Sequence, residues 1–144
     1  LTGNFSPEKP VSVLAIQGTE DPLVPYDGGE VKLLGMARGR VIGTREVLKL
    51  WIDRDRCNAH PSVSTLPDRD PQDGCRAELS IYGGGDEGSE VRLIRVEGGG
   101  HTWPGGRQYA GKWLIGTVCR DFDATQEIWN FFKTHRRATR AESE

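Results

Sequence analysis

The stretch that decides the fold is Pro10-Val11-Ser12-Val13-Leu14-Ala15-Ile16-Gln17-Gly18-Thr19-Glu20-Asp21-Pro22. Val11 to Ile16 is a short, nearly continuous apolar run, the pattern of a strand buried on both faces, and predicts a central parallel strand. Gly18 and Pro22 end the ladder and put polar side chains on a loop just past the strand, Asp21 among them. In open α/β sheets, reactive side chains gather on loops beyond the carboxyl ends of strands, because those loops meet in one crevice. Asp21 is therefore a candidate functional residue. An Asp before a proline just after a strand is also a turn former that caps local amides.

Further along, Ala77, Leu79 and Ile81 alternate with Glu78, Ser80 and Tyr82, the period of a half-buried strand. Gly83 to Gly88 turns the chain into a second apolar run, Val91 to Val96, so the two strands form a hairpin or lie as neighbours at a sheet edge. That run ends in Gly98-Gly99-Gly100-His101-Thr102-Trp103-Pro104-Gly105-Gly106. Each glycine loses more freedom on folding than other residues, so such a stretch has a positional purpose: it bends sharply and delivers one imidazole. Taken alone, a histidine in a glycine loop is more often a surface or packing residue. Asp21 and His101 stand 80 positions apart, and only a fold that sets their strands in one sheet brings them together. Asp21 would then accept the Nδ1 proton of His101, fix its tautomer and stabilise the imidazolium formed when His101 takes a proton from a nucleophile.

Helical signals fill the intervals. Val31 to Ala37 predicts a short helix through Val31, Leu33, Leu34 and Met36, with Gly35 against it. Thr44 reads as an N-cap with Glu46 in the first turn, and Val47, Leu48, Trp51 and Ile52 recur on one face of a helix over about 45–55. Asp123 with Gln126 resembles a capping box opening a closing helix, whose apolar face is Ile128, Phe131 and Phe132. Strands and helices together predict an α/β fold.

The 144 residues allow one domain or less. Nineteen Lys+Arg against 21 Asp+Glu give a formal charge of −2, with no field to concentrate nucleic acid or an anionic membrane surface. The basic cluster Lys133, His135, Arg136, Arg137 and Arg140 complements the negative end of a helix dipole. No apolar run approaches the ~20 residues of a membrane span, and the first 16 residues lack a signal-peptide pattern. The 3 cysteines Cys57, Cys75 and Cys119 are too few and too widely spaced for a zinc ribbon. One disulfide and one free thiol is an arrangement they allow, though spacing alone does not establish connectivity. A Cys57–Cys75 bridge would bracket the turn-rich stretch Asn58 to Gly74, where a staple helps most.

Gly18-Thr19-Glu20-Asp21-Pro22-Leu23-Val24-Pro25-Tyr26 and Glu97-Gly98-Gly99-Gly100-His101-Thr102-Trp103-Pro104-Gly105 resemble motifs of the polyhydroxybutyrate depolymerase and feruloyl esterase family, secreted serine esterases of the α/β-hydrolase fold. The similarity extends over Pro10 to Ile16, Asp27-Gly28-Gly29, Asp121-Phe122-Asp123-Ala124 and Ile128-Trp129 with Phe131-Phe132, most of residues 10–132. The resemblance implies a partial α/β-hydrolase sheet: residues 1–135 as the carboxyl-terminal part of a single domain, and 136–144 as a frayed polar tail. It also implies Asp21 as triad acid, His101 as triad base, Trp103 beside the base as either a wall of the ester-binding cleft or packing beneath the loop, no cofactor, and an extracellular or periplasmic location. The family order Ser, Asp, His agrees with Asp21 preceding His101.

Two features depart from that pattern. None of Ser6, Ser12, Ser62, Ser64, Ser80, Ser89 or Ser143 lies in a Gly-x-Ser-x-Gly elbow. The nucleophile half is thus expected upstream of Leu1, with the oxyanion donors, and this chain alone is expected not to hydrolyse esters. Members of the family tend to carry a cysteine where this sequence has Gly83-Gly84-Gly85, which leaves Cys75 as the substitute partner for Cys57. The expected partners are an ester substrate and, at an open sheet edge, the missing amino-terminal half or another copy of the chain. The alternative is a non-catalytic fragment or binding domain that keeps the hydrolase scaffold. A metal hydrolase built on His60, His101 and His135 is disfavoured, because their spacing lacks a paired-ligand motif.

Overall fold

The computed structural model describes residues 7–33 and 35–135, so the expected frayed tail at 136–144 lies outside the described residues. Its main sheet has four strands in the order β1 (Val13–Gly18), β6 (Val91–Glu97), β5 (Arg76–Tyr82) and β4 (Ser62–Thr65). β1 runs parallel to β6, with Val13 opposite Val91 and Gly18 opposite Val96. The other two pairings are antiparallel, Tyr82 of β5 lying opposite Val91 and Thr65 of β4 opposite Glu78. The two strands that lead to Asp21 and His101 are therefore neighbours with the same polarity, and their loops leave the sheet side by side.

Alternation along β6 explains the layers. Val91 and Leu93 pack with Leu48, Cys57, Trp51 and Ile52 under α1 (Thr44–Asp55), while Ile94 and Val96 pack on the opposite face with Phe122, Ala124, Cys75 and Cys119. That opposite face is covered by the segment entering α3 (Ala124–Thr134). Val91, Ile94 and Val96 are almost wholly buried, and each apolar side chain of that size contributes about 1.5–3 kcal/mol by leaving water. Because both faces are covered, the half of β5 expected to meet solvent is partly enclosed, and Ser80 is buried.

Several elements differ from the sequence expectations. β1 is parallel as expected but sits at an edge of the described sheet, with β6 as its single partner, and its residues are half-buried up to Gly18. An apolar run records contact with layers above and below, not the number of hydrogen-bonded neighbours. The stretch expected to be a short helix is a hairpin, β2 (Gly29–Leu33) with β3 (Met36–Val41), in which Leu33 pairs with Met36. Gly35, at φ +79°, takes the left-handed turn that an L side chain resists, and this glycine is also what weakens the helical alternative. Gly43, not Thr44, is the N-cap of α1, with no side-chain cap bond. In α3 Asp123 caps the helix, its carboxylate accepting the Gln126 amide at 3.1 Å, and Phe131 is buried, whereas Phe132 is exposed. A four-residue helix, α2 (Lys112–Ile115), lies between the histidine loop and α3.

Cys57, Cys75 and Cys119 are all buried free thiols, so the Cys57–Cys75 bridge does not form. The reason is topological: Cys57 belongs to the cluster under α1, and Cys75 to the cluster on the other face of the sheet.

Candidate active site

Asp21 stands three residues past β1 and gives its two carboxylate oxygens different tasks. Oδ1 accepts the backbone amides of Leu23 and Val24, each at 2.8 Å, which closes the turn around Pro22. Oδ2 lies 2.9 Å from Nδ1 of His101. The turn-forming reading and the acid reading of this residue thus describe two halves of one side chain. Asp21 is nearly buried, and Gln17 at the end of β1 spans the loop, its amide reaching Oδ2 at 3.5 Å and the Val24 carbonyl at 3.4 Å. A carboxylate can only accept, so Nδ1 is the donor in this contact, and in the neutral ring that tautomer leaves the Nε2 lone pair free. Nε2, across the ring from Asp21, has no hydrogen-bond partner among the described residues, which is the state a general base needs.

The glycines around the pair let two backbones approach. Gly98 turns the chain at φ +73° with its Cα pressed toward the carbonyl of Gly74; a Cβ there would lie 2.3 Å from that oxygen. At Gly18 a Cβ would lie 2.2 Å from the Gly99 carbonyl oxygen, and at Gly100 one would lie 2.2 Å from the Ile115 carbonyl oxygen. Across the first of these contacts the Glu20 amide donates to the Gly99 carbonyl at 2.9 Å, stitching the acid loop to the base loop. The second holds His101 from the other side: its amide donates to the Ile115 carbonyl at 2.6 Å, and the Gly100 amide to Thr117 at 2.9 Å. Tyr109 donates its hydroxyl to the His101 carbonyl at 2.9 Å.

The pair faces a cleft of about 420 Å³ lined by Ile16, Gln17, Val24, Trp103 and Tyr109 among others. Trp103 lines the cleft half-exposed, its indole N–H donating to the Thr125 hydroxyl at 3.0 Å. The indole is pinned at its polar end and leaves an apolar face at the rim. No serine lines the cleft among the described residues, and the hydroxyls of Thr102 and Tyr109 are both engaged with backbone carbonyls. The histidines do not gather: the one group of metal-sized spacing among the described residues is Asp73, Cys75 and Cys119. Sequence reading passed over Gln17 and Tyr109. Gln17 lies one residue beyond the apolar run, inside the strand, and its position was its only signal.

The fold and the cleft together define a mixed α/β protein with a carboxylate–imidazole pair where two parallel strands end. The chain is similar to NocK of Nocardia uniformis subsp. tsuyamanensis, a protein named as an esterase, with 31% identity over 106 residues, covering 69% of this chain and 30% of that protein. It is also similar to feruloyl esterase B of Piromyces equi, with 27% identity over 100 residues, covering 69% of this chain and 17% of that protein. The chain thus spans less than a third of either relative. No family model matches it, and no solved structure does.

Proposed function

We propose that this chain is the acid–base part of a serine carboxylic ester hydrolase of the α/β-hydrolase type, with Asp21 as triad acid and His101 as triad base. The observation that carries the reading is the 2.9 Å contact between Asp21 Oδ2 and His101 Nδ1 in an open cleft. The similarity to two proteins named as esterases supports the reaction class. The motif resemblance supports the polyhydroxybutyrate depolymerase and feruloyl esterase family, and with it an extracellular or periplasmic location. No helix among the described residues is long and apolar enough to cross a membrane.

In this reading the nucleophilic serine and the oxyanion donors come from a segment outside this chain, docked against the cleft beside the open edge of β1. The serine hydroxyl gives its proton to Nε2 of His101 as its oxygen attacks the ester carbonyl. The alcohol leaves with that proton, and water activated at the same nitrogen releases the acid from the acyl-serine. Asp21 stays ionised and holds the ring. Trp103 offers an apolar wall to the ester. The chain by itself lacks the nucleophile and does not turn over esters. The test uses the protein completed with its serine-bearing segment and a short p-nitrophenyl ester. His101→Ala removes nearly all turnover, and Asp21→Asn lowers kcat by about 10⁴, because the amide favours the wrong tautomer. Near-normal turnover in either variant overturns the assignment.

A further inference from the structure

Cys75 and Cys119 are 44 positions apart, yet their sulfurs lie within 4.8 Å of one another. Both are essentially inaccessible, at 0% and 1% exposure. Asp73 is what aligns them. One of its carboxylate oxygens accepts the amide of Cys75 and the other the amide of Arg120, each at 2.7 Å, so a single side chain clips the two cysteine-bearing segments together. With both oxygens so engaged, Asp73 is a poor third ligand for a metal. Cys57, in the cluster on the other face of the sheet, is not part of this arrangement.

We propose that Cys75 and Cys119 are a disulfide-forming pair that, when oxidised, staples the loop carrying His101 at both of its ends. The entrance of that loop, Gly98, packs against Gly74 and the Cα of Cys75. Its exit is Cys119, whose carbonyl accepts the Gly105 amide at 2.8 Å. A bond between the sulfurs closes a covalent ring around β6, the glycine run, His101 and α2. The oxidant is an external disulfide. One cysteine thiolate attacks it and releases a thiol. The second attacks the resulting mixed disulfide and releases the other thiol. Two S–H bonds and one external S–S bond are consumed, one protein S–S bond forms, and two electrons and two protons pass to the departing thiols.

Burial pushes the Cys75 thiol up to about 12, with the Asp73 carboxylate adding to it, and burial likewise pushes Cys119 up to about 11. The thiolate is scarce near neutral pH, so exchange is slow and proceeds through local opening.

The experiment is incubation of the native, reduced protein with oxidised glutathione, followed by alkylation, non-reducing digestion and mass spectrometry, with melting curves before and after. The expected product is one peptide pair joined through Cys75 and Cys119, lighter by two hydrogens than the two reduced peptides, with Cys57 outside the bridge. Melting temperature should rise by on the order of 10 °C for a ring of this size. The Cys57→Ser variant should retain the rise and Cys119→Ser should lose it. Should Cys119→Ser fail to fold, the peptide map of the parent and of Cys57→Ser decides by itself. A bridge involving Cys57, stable glutathione adducts on Cys75 or Cys119, or full alkylation of both after oxidation overturns the proposal.

Discussion

Gly18→Ala separates the acid loop from the base loop without touching either candidate side chain. The added methyl carbon would lie 2.2 Å from the Gly99 carbonyl oxygen, 2.5 Å from its carbon and 2.8 Å from the Gly100 oxygen, and all three are backbone atoms that no rotamer change can move. Ordinary contact begins at 3.4 Å, so one loop must retreat by about 1.2 Å. The Glu20 to Gly99 hydrogen bond, 2.9 Å long, does not survive that movement. Overpacking of this kind costs about 1–3 kcal/mol, and the lost bond adds about 1 kcal/mol. In a chain of this length the sum lowers the melting temperature by roughly 5–15 °C. Gly83→Ala is the control, since a Cβ there meets nothing within 4 Å. Thermal unfolding should separate the two variants, and hydrogen exchange should show the Glu20 amide losing protection in Gly18→Ala alone. In the completed enzyme, a displacement near 1 Å between acid and base costs on the order of 100-fold in turnover. A Gly18→Ala protein as stable as Gly83→Ala, with Glu20 still protected, would refute the packing argument.

Ile94→Ala should destabilise the protein by about 2–5 kcal/mol in urea titration, because Ile94 is 1% exposed at the centre of the sheet, whereas Val63→Thr on the exposed edge strand should stay within about 0.5 kcal/mol. Stability of the reduced protein should also fall with alkaline pH. The buried thiols of Cys75 and Cys119 titrate above their ordinary value of 9.0, near 12 and 11, so the folded state holds protons that the unfolded chain has released. Their contribution is complete below about 9 and disappears as pH rises through 11 to 12. Melting curves between pH 8 and pH 11 should show a steeper decline for the parent than for a Cys75→Ser, Cys119→Ser double variant; parallel curves would contradict it.

The sequence made the two strand–loop units readable because each couples an apolar run to residues that stop it. Val13 to Ile16 before Gly18, and Val91 to Val96 before three glycines, place Asp21 and His101 on loops without reference to the rest of the chain. The Asp123 cap was legible for the same local reason. What escaped reading depends on partners. Val31 to Ala37 is too short for periodicity to separate helix from strand, and its pairing across Gly35 decides the matter. The edge position of β1 is a property of its neighbours. The meeting of Cys75 and Cys119 needs the sheet, the glycine loop and the Asp73 clip all in place, and no spacing rule encodes it. Gln17 and Tyr109 escaped likewise, because their contacts depend on how a loop folds back: Gln17 reaches Asp21 and the Val24 carbonyl across the acid loop, and Tyr109 reaches the His101 carbonyl across the base loop.

The most direct test of the central claim is nitrogen-15 NMR of the His101 ring at a pH where the imidazole is neutral. The Asp21 contact predicts the proton on Nδ1, a far-downfield proton resonance protected from exchange, and loss of both signatures in Asp21→Asn. A ring protonated on Nε2, or a spectrum indifferent to Asp21→Asn, would contradict it.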